Sequence, residues 1–221
     1  MTPDTLRSQQ IIAAAPRSDP RSCLQRLFLA ALLGTASGSG LAFEIYALGT
    51  SATNCKGVDR DKIFPVRLQE ILRADGFDAT VVNGGQDGDL AIWMLRRLPA
   101  AIGPATRLVI VEPGPNGDRG STVEYSEKIL AWLRDHQLPA VYASSPRIQS
   151  REEAEATARK FDAWYYGHFP QGVPVDRVHW QFDVGQGGKG PGGHMTAEGC
   201  LLVAKKMAPL IERILVERNI R

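Results

Sequence analysis

From residue 43 onward, short continuous apolar runs alternate with segments of helical period. Residues 43–48 (FEIYAL), 78–82 (DATVV), 107–112 (RLVIVE) and 138–143 (LPAVYA) read as buried strands, because they lack the two-residue alternation of a half-exposed sheet. Between them, residues 61–74 place Ile63, Val66, Leu68, Ile71 and Leu72 at helical spacing, with Gly76 as a stop. Residues 90–102 predict a second helix, interrupted or ended near Pro99. Residues 121–136 predict a third, with Ser121 as N-cap and Glu124 completing a capping box. Residues 150–164 open on Ser-Arg-Glu-Glu, with acids where the helix dipole favours them. Residues 196–216 form a long amphipathic pattern carrying Leu201, Val203, Met207, Leu210, Ile211 and Ile214. A fifth strand is expected within the ambiguous stretch 173–182. Strand–helix alternation of this kind predicts an α/β domain with a parallel sheet covered by helices on both faces.

The first 42 residues break this pattern. A polar stretch with Arg7, Arg17, Arg21 and Arg26 leads into Leu27-Phe28-Leu29-Ala30-Ala31-Leu32-Leu33, then into small residues ending at Ala42. A basic flank, a short apolar core and small residues read as a secretory signal. A retained membrane anchor and a cytosolic tail are the other two readings. The expectation is a leader over 1–42, a single domain over 43–221, and a periplasmic or secreted mature protein without stable membrane insertion. The chain's net charge of +2 resides in the leader: residues 43–221 hold 22 basic and 22 acidic side chains. A balanced domain without a basic aromatic patch argues against nucleic acid as a partner. Cys55 and Cys200 would survive cleavage, either as a disulfide or as two buried thiols.

The candidate chemistry lies at the ends of the predicted strands. Ser51 follows the first, in Gly49-Thr50-Ser51-Ala52. Gly84, Gly85 and Gly88 follow the second, in Val82-Asn83-Gly84-Gly85-Gln86-Asp87-Gly88-Asp89. Asn116 follows the third, in Gly114-Pro115-Asn116, and His194 precedes the last helix. Each residue alone is an ordinary turn or cap residue. Together they supply a nucleophile, oxyanion donors and a general base, the parts acyl transfer needs, at the sheet edge where open α/β folds bind ligands.

The order and composition of these four blocks resemble those of the SGNH hydrolases, the GDSL-type esterases and lipases, over about residues 43–217. The resemblance implies a three-layer α/β/α sandwich with a flavodoxin-like parallel sheet of about five strands. It implies Ser51 as nucleophile and His194 as base. It implies an oxyanion hole made by the backbone N–H groups of Ser51 and Gly88 and the side-chain amide of Asn116. It calls for neither a cofactor nor a metal, and His136 and His179 lack metal-ligand spacing.

Four positions, in three of the blocks, depart from the family pattern. Thr50 replaces an Asp and Ala52 a Leu in the nucleophile block. Pro115 replaces the glycine before Asn116, removing an N–H. Pro191 stands where the family has the acid partner of the histidine. Asp183, across a glycine-rich spacer, is the candidate acid; a backbone carbonyl orienting His194 is the alternative. The spacer's Gly185, Gly187 and Gly190 match a dinucleotide fingerprint, but no helix opens after them and too little chain remains for a βαβ unit. A lid beside the site is the expectation there. Trp93, Trp164, Tyr165, Tyr166, His168 and Trp180 line either a substrate groove or the core.

The expected activity is hydrolysis of small-molecule or glycan acyl esters by a serine esterase: an acetyl or acyl esterase, a lysophospholipase or a thioesterase. The alternative is a catalytically weakened domain that binds a glycan or an acyl group.

Overall fold

The computed structural model describes residues 42–182 and 193–220. Strands and helices alternate in the order β1 (Phe43–Gly49), α1 (Phe64–Ala74), β2 (Ala79–Gly85), α2 (Ala91–Ala101) and β3 (Thr106–Val111). They continue as α3 (Arg119–Asp135), β4 (Ala140–Ser144), α4 (Arg151–Lys160), β5 (Trp164–His168) and α5 (Ala197–Glu217). The five strands pair in parallel, in the order β2-β1-β3-β4-β5. This is the flavodoxin-like order, with its topological switch between β1 and β3.

The central strands are mostly apolar because the sheet buries both faces. Ile45, Ala47, Leu108, Ile110, Val141 and Ala143 pack with Phe64 and Leu68 of α1 and with Val203, Met207 and Ile211 of α5. The alternate residues Leu48, Val109, Val111 and Tyr142 pack with Met94 and Leu98 of α2, Ile129 and Leu133 of α3, and Ala154 of α4. Each fully buried aliphatic side chain of this kind contributes about 1.5–3 kcal/mol relative to exposure. Two cores thus clamp one sheet and fix where its carboxyl ends emerge.

Four local expectations are corrected. The fifth strand is Trp164–His168, not part of 173–182, and α4 stops at Lys160. The aromatic run Trp164-Tyr165-Tyr166 therefore belongs mainly to the sheet. The N-cap of α3 is Asp118, whose carboxylate accepts from Ser121 N–H; Ser121 itself lies inside the helix. Both are good capping residues, and the one that precedes the first turn takes the role. Finally, α2 continues past Pro99 to Ala101. A proline so near the C-terminal end removes only one of the last ladder bonds, and Ile102 N–H still closes on the Leu98 carbonyl at 3.2 Å. The predicted α5 start is confirmed: Thr196 is its N-cap, accepting from Gly199 N–H.

Among the described residues no helix is long and apolar enough to cross a membrane. The predicted leader up to residue 41, Asp183 and the glycine-rich spacer lie outside the described residues.

Candidate active site

The carboxyl ends of β1, β2 and β3 bring the four sequence blocks to one edge. After β1, residues 50–57 form a chain of turns closed by Asn54 N–H to the Thr50 carbonyl at 3.0 Å and Lys56 N–H to the Ser51 carbonyl at 3.0 Å. Ser51 sits half-buried at the head of this turn. His194, two residues before the N-cap of α5, reaches it: Nε2 of His194 lies 3.0 Å from Oγ of Ser51. A pair separated by 143 residues in the chain is thus at hydrogen-bond distance.

Residues 173–182, where a strand was expected, hold the histidine in place instead. Trp180 and Met195 form an isolated antiparallel bridge. Gln181 N–H donates to the His194 carbonyl at 2.9 Å and Thr196 N–H to the His179 carbonyl at 3.0 Å. The Gln181 amide also donates to the carbonyls of Met195 and Lys56, both at 2.7 Å, so one side chain links the histidine segment to the nucleophile turn. The Cys55–Cys200 disulfide makes a second link, joining the same turn to the first turn of α5.

The nucleophile turn is braced from behind by residues that sequence reasoning missed. Glu112, just past β3, is only 3% exposed. Its Oε2 accepts from Thr50 N–H at 3.0 Å, Thr50 Oγ1 at 2.9 Å and Thr53 Oγ1 at 3.0 Å. Burial pushes its carboxyl pKa up, and the bonds from Thr50 and Thr53 partly offset that rise. Thr50, a departure from the family pattern, is therefore the donor that engages Glu112. Arg97 of α2 makes the second brace. It pairs with the buried Asp89 at 2.7 Å and donates to the carbonyls of Gly84 at 2.8 Å and Gly49 at 3.3 Å, tying the ends of β1 and β2 together. An arginine on an amphipathic helix and an Asp in a turn carry no sequence signal for such a role. An acid directly after the apolar run Leu108–Val111, as Glu112 is, is the one hint available.

The expected oxyanion donors lie along the same edge. Among the described residues, the backbone N–H groups of Ser51 and Gly88 have no protein acceptor. Gly88 is exposed, with φ +75°, a conformation that side chains disfavour. Asn116 donates from Nδ2 to the Asp89 carbonyl at 2.9 Å. An amide nitrogen has two hydrogens, so the bond to Asp89 fixes the group and leaves one donor to offer. Gly114, with φ +59°, packs so closely on the Thr50 side chain that a Cβ there would collide with it.

Beside the Ser51–His194 pair opens a cleft of about 190 Å³. Its walls include Ala52, Glu112, Pro115, Arg147, Trp180 and Met195. Of the predicted groove aromatics, Trp180 lines this cleft, Tyr166 is buried, and Trp93 is 48% exposed on α2. No group of three or more His, Cys, Asp or Glu side chains suited to a metal ion occurs among the described residues.

No family model matches the chain, and no curated protein matches it. Solved structures do. TesA superposes with a TM-score of 0.66 at 21% identity, over 78% of this chain and 99% of TesA. The psychrotrophic esterase EstA from Pseudoalteromonas sp. gives 0.64 at 16% identity, over 78% and 98%. AlinE4, an SGNH-hydrolase family esterase, gives 0.53 at 21% identity, over 80% and 98%. The fold is that of the SGNH hydrolases. Within the SGNH fold of this chain, the nucleophile, glycine, asparagine and histidine blocks occupy the ends of β1, β2 and β3 and the approach to α5.

Proposed function

We propose that the protein is a serine esterase acting on small acyl esters, with Ser51 as nucleophile and His194 as general base. The observation that carries this reading is the 3.0 Å approach of His194 Nε2 to Ser51 Oγ at the mouth of a cleft. Serine is a weak nucleophile until a base takes its proton. Here His194 would accept that proton as Oγ attacks the ester carbonyl. The carbonyl oxygen would become an oxyanion facing the N–H groups of Ser51 and Gly88 and the second hydrogen of the Asn116 amide. His194 would then protonate the departing alcohol, and water would release the acyl group by the same route.

The leaving alcohol must lie toward the residue that protonates it. The cleft includes Gly193 and Met195, the two neighbours of His194. On this reading the cleft would take the alcohol portion. The matched structures support hydrolysis as the reaction type: EstA and AlinE4 are esterases, and another match is an acetyl xylan esterase. O-acetylated glycans, short-chain esters, lysolipids and thioesters all remain within this class.

The test is hydrolysis of 4-nitrophenyl acetate by the wild-type protein and by Ser51→Ala and His194→Ala. Each substitution is expected to lower kcat by at least about a thousandfold while leaving the fold intact. Ser51 should also take one fluorophosphonate adduct, read by intact mass. A folded wild-type protein that neither hydrolyses the ester nor takes the label would favour the alternative, a non-catalytic binding domain.

A further inference from the structure

We propose that Glu112 is a positioning residue for the Ser51–His194 pair, acting as a carboxylate through the backbone N–H of Thr50 and the hydroxyls of Thr50 and Thr53. The inference rests on the esterase reading and adds to it a residue that touches neither Ser51 nor His194 by any hydrogen bond described above.

Three features carry it. The first is placement: the donors to Glu112 come from residues 50 and 53, which bracket Ser51 in one closed turn. The second is stoichiometry. All three bonds end on the single oxygen Oε2. A carboxylate oxygen accommodates such a set, whereas a neutral carboxyl must place its own proton and accepts less well. A proton on the other oxygen, Oε1, would leave Oε2 a weaker acceptor for all three donors. The third is cost. Glu112 is buried, and among the described residues it has no ion-pair partner. A buried charge held only by neutral donors is an expensive anchor compared with a well-packed uncharged side chain. The surroundings nevertheless leave space for it: a Cβ on Gly49 would press on both Thr53 and Oε2 of Glu112.

Ionised Glu112 thus pulls the Thr50 N–H and both hydroxyls toward β3 and sets the height of Ser51 against His194. On protonation, at Oε1, Oε2 becomes a neutral carbonyl oxygen and all three bonds weaken. A misplacement of about 1 Å at a reacting atom can cost on the order of 10²-fold in rate. Among the titratable or charged groups around Glu112, the Tyr142 hydroxyl on β4 feels its charge, Arg147 after β4 shares its cleft wall, and Arg97 of α2 reaches the neighbouring Gly49 carbonyl. Tyr142 stays neutral, because burial pushes its hydroxyl pKa far up and the charge of Glu112 adds to that rise. Arg147 keeps its charge throughout. The acid limb of activity therefore includes the protonation of Glu112.

The stability consequence has the opposite sign to the activity. Because the folded state holds the Glu112 proton more tightly than the unfolded chain does, its favourable contribution is complete below the unfolded pKa. That contribution is lost as pH rises through the folded pKa. The ionised, working form is the less stable one. A residue kept for packing would show activity and stability falling together; a positioning carboxylate shows them parting.

The experiment compares full-length wild type, Glu112→Gln, Thr53→Val and Ser51→Ala on 4-nitrophenyl acetate across pH, with thermal unfolding of each. Glu112→Gln is expected to lower kcat by about tenfold or more with KM within about twofold. It should also drop one ionisation from the acid limb and unfold at or above the wild-type Tm at neutral pH. Thr53→Val removes one donor from the carboxylate, so its acid limb should move to higher pH. A folded Glu112→Gln with wild-type kcat and an unchanged acid limb overturns the proposal. If that variant does not fold, an unmoved limb in Thr53→Val overturns it. An inactive wild type, or hydrolysis that survives in Ser51→Ala, would remove the esterase reading and the role of Glu112 with it.

Discussion

The two sides of the Ser51–His194 pair are built differently. On the nucleophile side, side chains from four elements converge on one turn. Thr50 and Thr53 bond Glu112 after β3, Asn54 bonds Asp87 and Asn83 after and within β2, and Arg97 of α2 spans the ends of β1 and β2. On the histidine side the ring stands on a short segment held mainly by backbone bonds, from Gln181 to the His194 carbonyl and from Thr196 to His179. Among the described residues the His194 ring bonds only to Ser51. The contrast has a mechanistic meaning. An oxyanion hole works by donors already in place before charge develops, so it belongs on the rigid side. On the proposed reading His194 is the base, which changes its proton and its bonding partner in every turnover.

This asymmetry can be broken at its strong side first. Asn116 is fixed to the Asp89 carbonyl, and Asp89 is fixed to Arg97, so the amide arrives preorganised. Removing one such donor typically costs about 10²–10³ in kcat. Asn116→Ala should therefore lower kcat on 4-nitrophenyl acetate by about that factor, with KM changed little. A loss of less than about threefold would mean that the backbone N–H groups of Ser51 and Gly88 suffice alone, and that the bracing of this edge serves stability only.

The weak side should respond less. In a Ser–His–acid arrangement the acid fixes the tautomer of the imidazole and stabilises its charged form. Pro191 occupies the usual acid position and has only a carbonyl to offer, while Asp183 must return across a glycine-rich spacer that is costly to order. Asp183→Asn is expected to reduce kcat by less than about tenfold, or ~1.4 kcal/mol of transition-state stabilisation. A larger loss in a folded variant would show that the histidine side has a carboxylate partner after all and that the two sides are equally built.

Most of this architecture was legible in the chain, for a physical reason. Continuous apolar runs such as RLVIV mark strands buried on both faces, and the blocks holding Ser51, Gly88, Asn116 and His194 each begin or end such an element. Ser51 and His194 could be paired in advance because the order of their blocks resembles that of the SGNH hydrolases. The fifth strand escaped because Trp164-Tyr165-Tyr166 follows a strong helix pattern without a break, and aromatics suit a strand or a helix face equally. Glu112 and Arg97 escaped for a different reason. Their partners are Thr50, Thr53, Asp89 and two backbone carbonyls, which pair with them only once the sheet has formed.

The smallest expected effect on activity comes from the Cys55–Cys200 bridge, the one covalent link between the two sides. It closes a loop of 145 residues that contains most of the sheet, and bridges over long loops chiefly restrict the unfolded chain. Replacing both cysteines with alanine should cost about 2–4 kcal/mol of stability, read as a lower Tm. Activity at 25 °C should stay within about twofold, because Gln181 still ties the histidine segment to the Lys56 carbonyl and the Glu112 brace is untouched. The bridge also bears on where the protein works. Disulfides persist in oxidising compartments, which agrees with the leader expected over residues 1–42 and with a proposed periplasmic or secreted location. Protein recovered from an exporting host and digested without reduction should yield a linked Cys55–Cys200 peptide and an N-terminus at Phe43. A free thiol at both positions in chains beginning near residue 1 would argue for a reducing compartment and a retained leader. A double variant that keeps its Tm but loses activity would show the reverse dependence: a bridge that positions His194 rather than one that stabilises the fold.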